Sequence, residues 1–181
     1  MNHTLRMGLA LALLGGPLMT SLAGPLAAQE QTDARVGANT DWSVFQESDP
    51  AECFAVSAPT GQENTRDGQP VTVTRGETLL FVFYRPAEGV QGQVTFTGGY
   101  PFAGNSTVTL DVGGTQFQLF TEDEWAWPAT PEEDARIVAA MKGGSSAVLT
   151  GQSGRGTVTR DTFSLSGFTA SVDEAASRCT S

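Results

Sequence analysis

From residue 40 onward, apolar residues recur with a period of two in short runs, each closed by Gly, Pro, Asn or Asp. That is the pattern of β-strands joined by turns. Trp42–Phe45 is the first predicted strand, and Cys53–Ser57 the second, after the turn-forming Asp49-Pro50. Pro59–Gly68 is polar and reads as a loop, whereas Val71–Thr74 alternates like a half-buried strand. Leu79–Tyr84 is apolar at every position, so it is expected at the centre of a sheet, covered on both faces. Gln93–Thr97 and Thr107–Val112 alternate again. Gly113-Gly114 suits a two-residue hairpin turn, because both positions tolerate positive φ. Thr115–Thr121 then returns with Phe117 and Leu119 on one face, and Ala147–Thr150 and Gly156–Leu165 complete the strands.

The apolar spacing becomes helical twice. Thr130 can cap a helix, Pro131 suits its first position, and Glu133 completes a capping box. Asp134 adds negative charge near the positive end of the dipole. Ile137, Val138 and Met141 form the apolar stripe, and Gly143-Gly144 ends it. A second helix is predicted over Phe168–Arg178, with Phe168, Val172, Ala176 and Cys179 on one face. Many short strands, two short α-helices and no βαβ rhythm predict a mainly β protein, an antiparallel β-sandwich or barrel-like fold. Residues 40–181 form its single domain.

The first residues follow a different logic. His3 and Arg6 precede an apolar run from Met7 to Leu14, then Gly15, Gly16, Pro17 and small residues ending in Leu26-Ala27-Ala28. That order is a secretory signal peptide over residues 1–28, with cleavage preferred after Ala28 and after Ala23 as the alternative. The apolar run is shorter than the about 20 residues a membrane-spanning helix needs, so no transmembrane anchor is expected after cleavage. No cysteine near the cleavage region offers a lipid attachment point. Residues 29–39 are polar and aperiodic, and read as a flexible leader. The expected location is outside the cytoplasm, in the periplasm or on the cell surface.

Charge narrows the partners. Twenty acidic residues against ten basic ones give a formal net charge of −10. Such a domain repels phosphate backbones and anionic lipid, so nucleic acid is not an expected partner. A protein or another envelope component is. The two cysteines, Cys53 and Cys179, bracket the domain. In an oxidising compartment such a pair normally closes; two separate free thiols are the alternative.

Candidate chemistry is sparse. The single histidine, His3, departs with the signal peptide, removing the usual general base and zinc ligand. No Ser-His-Asp or Cys-His arrangement can be built. The acidic run Glu122, Asp123, Glu124, Glu132, Glu133 and Asp134 is explained first by a solvated surface and helix capping. No stretch has the spacing of an EF-hand loop. The expectation is therefore no catalytic residue, no metal and no cofactor. An aromatic binding face is the remaining candidate: Tyr100 and Phe102 in a Gly-rich turn, Trp125 and Trp127 spaced to point the same way, and Arg85 at the end of the central strand. Against it stands the plainer reading that these rings plug the ends of the β fold.

Several segments, taken in order, resemble a known family. Asp41-Trp42-Ser43-Val44-Phe45 is followed by Glu52-Cys53-Phe54-Ala55-Val56-Ser57, then by Leu80-Phe81-Val82-Phe83-Tyr84-Arg85-Pro86 and Gly98-Gly99-Tyr100-Pro101-Phe102. Phe163-Ser164-Leu165-Ser166-Gly167-Phe168 then leads into a helix ending at the second cysteine. From Thr40 to Cys179 the chain resembles the invasion-associated locus B family of exported alphaproteobacterial proteins. The resemblance implies an exported β-sandwich protein, in a family whose founding members were linked to host-cell invasion. It supplies no catalytic motif. The expected role is non-enzymatic binding or structure in the cell envelope. The alternatives are a hydrolase using carboxylates among Glu122, Glu124 and Asp161, and a small-ligand carrier with an apolar cavity between sheets.

Overall fold

The computed structural model describes residues 34–179. The signal peptide predicted over residues 1–28, with both cleavage sites, lies outside the described residues. Twelve antiparallel strands form one sheet: β1 (Arg35–Asn39), β2 (Trp42–Ser48), β3 (Ala51–Ser57), β4 (Gly61–Arg66), β5 (Gln69–Pro70), β6 (Leu79–Arg85), β7 (Val90–Thr97), β8 (Thr107–Val112), β9 (Thr115–Glu122), β10 (Trp125–Trp127), β11 (Ser146–Gln152) and β12 (Val158–Ser164). Their spatial order is β1-β2-β3-β6-β7-β10-β9-β8-β11-β12-β4-β5. Two helices accompany them, α1 (Pro131–Gly143) and α2 (Phe168–Cys179). The mainly β prediction with two helices holds, and the sheet is not closed into a barrel.

The sheet doubles back on itself. Phe96 on β7 and Phe163 on β12 stand five places apart in the strand order, about 24 Å if the sheet were flat. Their ring centroids are only 6.1 Å apart, edge to face. The two halves therefore face one another across a core of Leu80, Val82, Val94, Phe96, Leu110, Leu119, Leu149 and Phe163, all buried. Alternation puts these residues inward, each contributing about 2 kcal/mol of apolar burial.

Local signals build the elements as expected in several places. Gly113 and Gly114 take φ of 59° and 90° in the β8–β9 hairpin, and the Gly114 N–H donates to Asp111 Oδ1. Thr130 caps α1 by accepting from the Glu133 N–H, while the Glu133 carboxylate accepts from the Ala129 N–H. Ile137 and Met141 are buried. On α2 the buried face is Phe168, Ser171, Val172, Ala175 and Cys179, so Ala175 rather than Ala176 completes it. Trp42 locks the junction, meeting Phe168 edge-on at 4.9 Å and donating its indole N–H to Ser164 O. The Cys53–Cys179 disulfide forms, with Cα atoms 5.8 Å apart, and ties the end of α2 to β3.

Three local expectations are corrected, and one further strand is found. Residues 35–39, read as leader, are strand β1, an edge strand paired to β2, so their polarity reflects exposure. The Pro59–Gly68 loop contains β4, which is polar because its side chains are mostly exposed while its backbone pairs with β12. Val71–Thr74 is not a strand; it belongs to the link between β5 and β6. Trp125–Trp127 is a strand, inserted between β7 and β9.

Candidate functional site

The outward positions of β2, β3, β6 and β10 carry aromatic rings. Inward-facing Leu80 and Val82 belong to the core, so Leu79, Phe81 and Phe83 point the other way. Among the described residues no second layer covers them, so there the expectation that β6 is sealed on both faces is not met; they are half-buried by one another. Register explains the grouping. Phe54 pairs with Phe45 on one side and Phe83 on the other, and Val56 lies between Ser43 and Phe81. Phe45 and Phe54 stack at 5.1 Å, Phe54 and Phe83 meet at 5.3 Å, and Phe81 stacks on Phe83 at 5.1 Å.

The row continues across β7. There Thr95 and Thr97 stand opposite Phe81 and Leu79, and their short side chains let Trp125 reach Phe81 at 6.1 Å. Trp125 is 42% exposed and Phe120 is 55% exposed, with Trp127 the cross-strand partner of Phe120. The result is one aromatic face running from β2 to β9. Isolated surface rings are ordinary, but a continuous patch of this kind marks an interaction surface.

One side of this face is acidic, while Arg35, the cross-strand partner of Phe45, stands at its β1 edge. A cleft of about 600 Å³ opens on it, lined by Phe45, Phe54 and Phe81 with Asp41, Glu47 and Glu77. Among the described residues no lysine or arginine lines it. Glu122 stands across the ladder from Trp125. Arg85 closes the far end, its guanidinium 4.4 Å over the Phe83 ring and ion-paired with Glu52. It also donates to Gln93 Oε1.

Of the five residues proposed from sequence, the structure places Arg85, Trp125 and Trp127 on this face. Tyr100 and Phe102 lie elsewhere. Phe102 is 8% exposed and packs against Phe96 and Tyr100, so it is a core plug. Tyr100 lines a separate cleft, 5.1 Å from the Arg75 guanidinium and 2.6 Å from Thr159 Oγ1. Burial raises the Tyr100 pKa above the ordinary 10, against the opposing effects of the Thr159 hydrogen bond and the Arg75 charge. Sequence reasoning missed Phe45, Phe54, Phe81 and Phe83. Their alternation with inward residues was the available signal, but their meeting depends on register between strands.

The carboxylates do not assemble as a free pair. Asp161 is fully buried, with both oxygens 2.7 Å from the Arg75 guanidinium. Glu122 and Glu124 are exposed. Among the described residues no group of three His, Cys, Asp or Glu side chains could hold a metal.

These elements define a class: a disulfide-tied antiparallel β domain, with one helix docked at the cysteine and an open aromatic face on its sheet. The chain belongs to the family described as Invasion associated locus B (IalB) protein, whose model matches residues 42–176. The crystal structure of invasion associated protein B from Bartonella henselae is similar, with a TM-score of 0.53 and 14% identity over 80% of this chain and 98% of that one. At that identity the likeness concerns the fold. No curated protein sequence matches the chain.

Proposed function

We propose that this chain is an exported, non-enzymatic binding protein of the cell envelope, whose aromatic face docks a basic, partly apolar polypeptide segment of a partner protein. The observation that carries the reading is the continuous row Phe45, Phe54, Phe83, Phe81 and Trp125 beside a cleft holding three carboxylates and, among the described residues, no cation. Guanidinium and ammonium groups are attracted both to ring faces and to carboxylates. An acidic partner would meet like charge at Asp41, Glu47, Glu77 and Glu122. Export is supported by the apolar N-terminal run and by a closed disulfide. The non-enzymatic reading is supported by the lack of histidine after residue 3, by two bonded cysteines, and by an Asp161 carboxylate held by Arg75. No helix among the described residues is long and apolar enough to cross a membrane.

The test is a fluorescence titration of the chain from residue 29 with two synthetic peptides, one of Arg, Lys and Leu and one with Glu replacing every cation. The exposed Trp125 reports on contact. We expect saturable binding of the basic peptide alone. Phe81→Ala combined with Glu77→Lys, which keeps Trp125 as reporter, should weaken it at least tenfold, while Glu132→Lys, an exposed charge change on α1, should not. Equal binding of both peptides, or equal weakening by Glu132→Lys, would show that the face is not the docking surface.

A further inference from the structure

A second cleft, of about 350 Å³, lies on a different side of the fold, around the β11–β12 turn. It is lined by Arg66, Arg75 and Arg155, with Tyr100, Ser153 and Thr157 among its other walls. Three of the ten basic residues of a chain of net charge −10 thus gather at one opening. We infer that this cleft binds a small ligand bearing an oxyanion, a carboxylate or a phosphate group. This goes beyond the docking reading and does not depend on it.

The three arginines divide the work. Arg75 is 7% exposed and committed, with Nη1 and Nη2 on the two Asp161 oxygens and Nε and Nη2 donating to Gly98 O. Its charge is matched by Asp161, and it serves as a rigid wall under the Tyr100 ring. Arg66 makes one hydrogen bond, from Nη2 to Thr157 Oγ1 at 2.7 Å. That bond fixes its direction and leaves most of the five guanidinium donors available. Arg155 sits at the exposed tip of the turn, and among the described residues its guanidinium has no acidic partner. Among the described residues Glu124 is the single carboxylate lining the cleft, so two uncommitted cations face one acid.

The remaining walls fit the same ligand. The Ser153 hydroxyl oxygen accepts from the Thr157 N–H, which leaves its own hydrogen free to donate. Tyr100 keeps its proton at neutral pH as any phenol does, and burial raises its pKa further. Its ring, Pro101 and Val73 supply an apolar wall for the body of the ligand. Two guanidiniums converging on a small polar cleft select planar or tetrahedral oxyanions over neutral compounds.

The test uses the chain from residue 29, followed by amide and arginine side-chain NMR. Inorganic phosphate, glucose 6-phosphate and citrate are titrated at constant ionic strength, with choline chloride as a control. We expect saturable shifts at Ser153–Gly156 and Tyr100 with at least one oxyanion and none with choline. Arg66→Ala with Arg155→Ala should weaken that binding at least tenfold while leaving the remaining spectrum in place. Response to the phosphates alone assigns the phosphate group, and response to citrate alone the carboxylate. Shifts that fail to saturate with every anion, or saturate unchanged in the double variant, overturn the inference.

Discussion

Removing the disulfide is the perturbation whose size the structure sets best. Cys53 and Cys179 are 126 residues apart, so opening the bond frees nearly the whole domain in the unfolded state. The chain-entropy relation gives about 5 kcal/mol at 25 °C for a loop of that length. Replacing both cysteines with alanine avoids adding buried hydroxyl groups beside Val44 and Ala175. The lost sulfur contacts add about 1 kcal/mol. For a domain of this size, about 3 °C per kcal/mol turns the total into a drop in Tm of more than about 15 °C. In urea, a slope of about 2–3 kcal/mol/M places the loss at about 2 M in the midpoint. The assay is urea unfolding of the wild type, oxidised and reduced, beside the Cys53→Ala/Cys179→Ala variant, with hydrogen exchange on the amides of α2. Reduced wild type should lie about 1 kcal/mol above the variant, and α2 should lose protection first, because without the bond it is held by packing, of Phe168 on Trp42 and of Ala175 beside Val44. A midpoint shift below about 0.5 M would refute the account of the bond as the main constraint on the unfolded chain.

Other expectations follow from single contacts. Asp134 is buried, and burial pushes its pKa up to about 6, outweighing the Val94 N–H it accepts from. The folded state therefore holds the proton more tightly than the unfolded chain does. Stability should rise as pH falls from 7 through 6 towards 4, and Asp134→Asn, which keeps an acceptor for Val94, should flatten that part of the profile in urea melts. Arg75→Met leaves the Asp161 carboxylate buried without its partner, and should cost about 3–5 kcal/mol; adding Asp161→Leu should recover most of that loss in the same assay. Gly167 takes φ +87° with Asn39 O where a Cβ would sit, so Gly167→Ala should lower the unfolding free energy by about 2 kcal/mol or more, with the loss centred on the entry to α2.

Legibility in the sequence followed from how local each cause was. The β8–β9 hairpin and helix α1 were readable because Gly113-Gly114, Thr130, Pro131 and Glu133 act within a few residues of where they stand. The cysteine pairing was readable from compartment and count. β4 was not, because Gly61–Arg66 is held by backbone bonds to β12, and a ladder asks little of side chains that face water. Val71–Thr74 has the alternation of a strand but forms no ladder with a neighbouring segment. The aromatic face was half legible: Trp125 and Trp127 stand close in sequence, whereas Phe45, Phe54 and Phe83 share a row only through the register of three strands. Tyr100 and Phe102 were grouped with them because all are rings near turns, and the fold sends them to the other side.

The strand order also constrains how the chain comes into being. Gln62 on β4 stands beside Asp161 on β12, 99 residues later, and β2 waits for α2 to cover Val44. A growing chain holds an unfinished ladder at Gly61–Arg66 until β12 arrives. A product stopped just before Val158 would present two bare backbone edges, on β4 and on β11, each ready to recruit a stranger. A chain shortened before β12 is thus expected to aggregate rather than to form a smaller working piece.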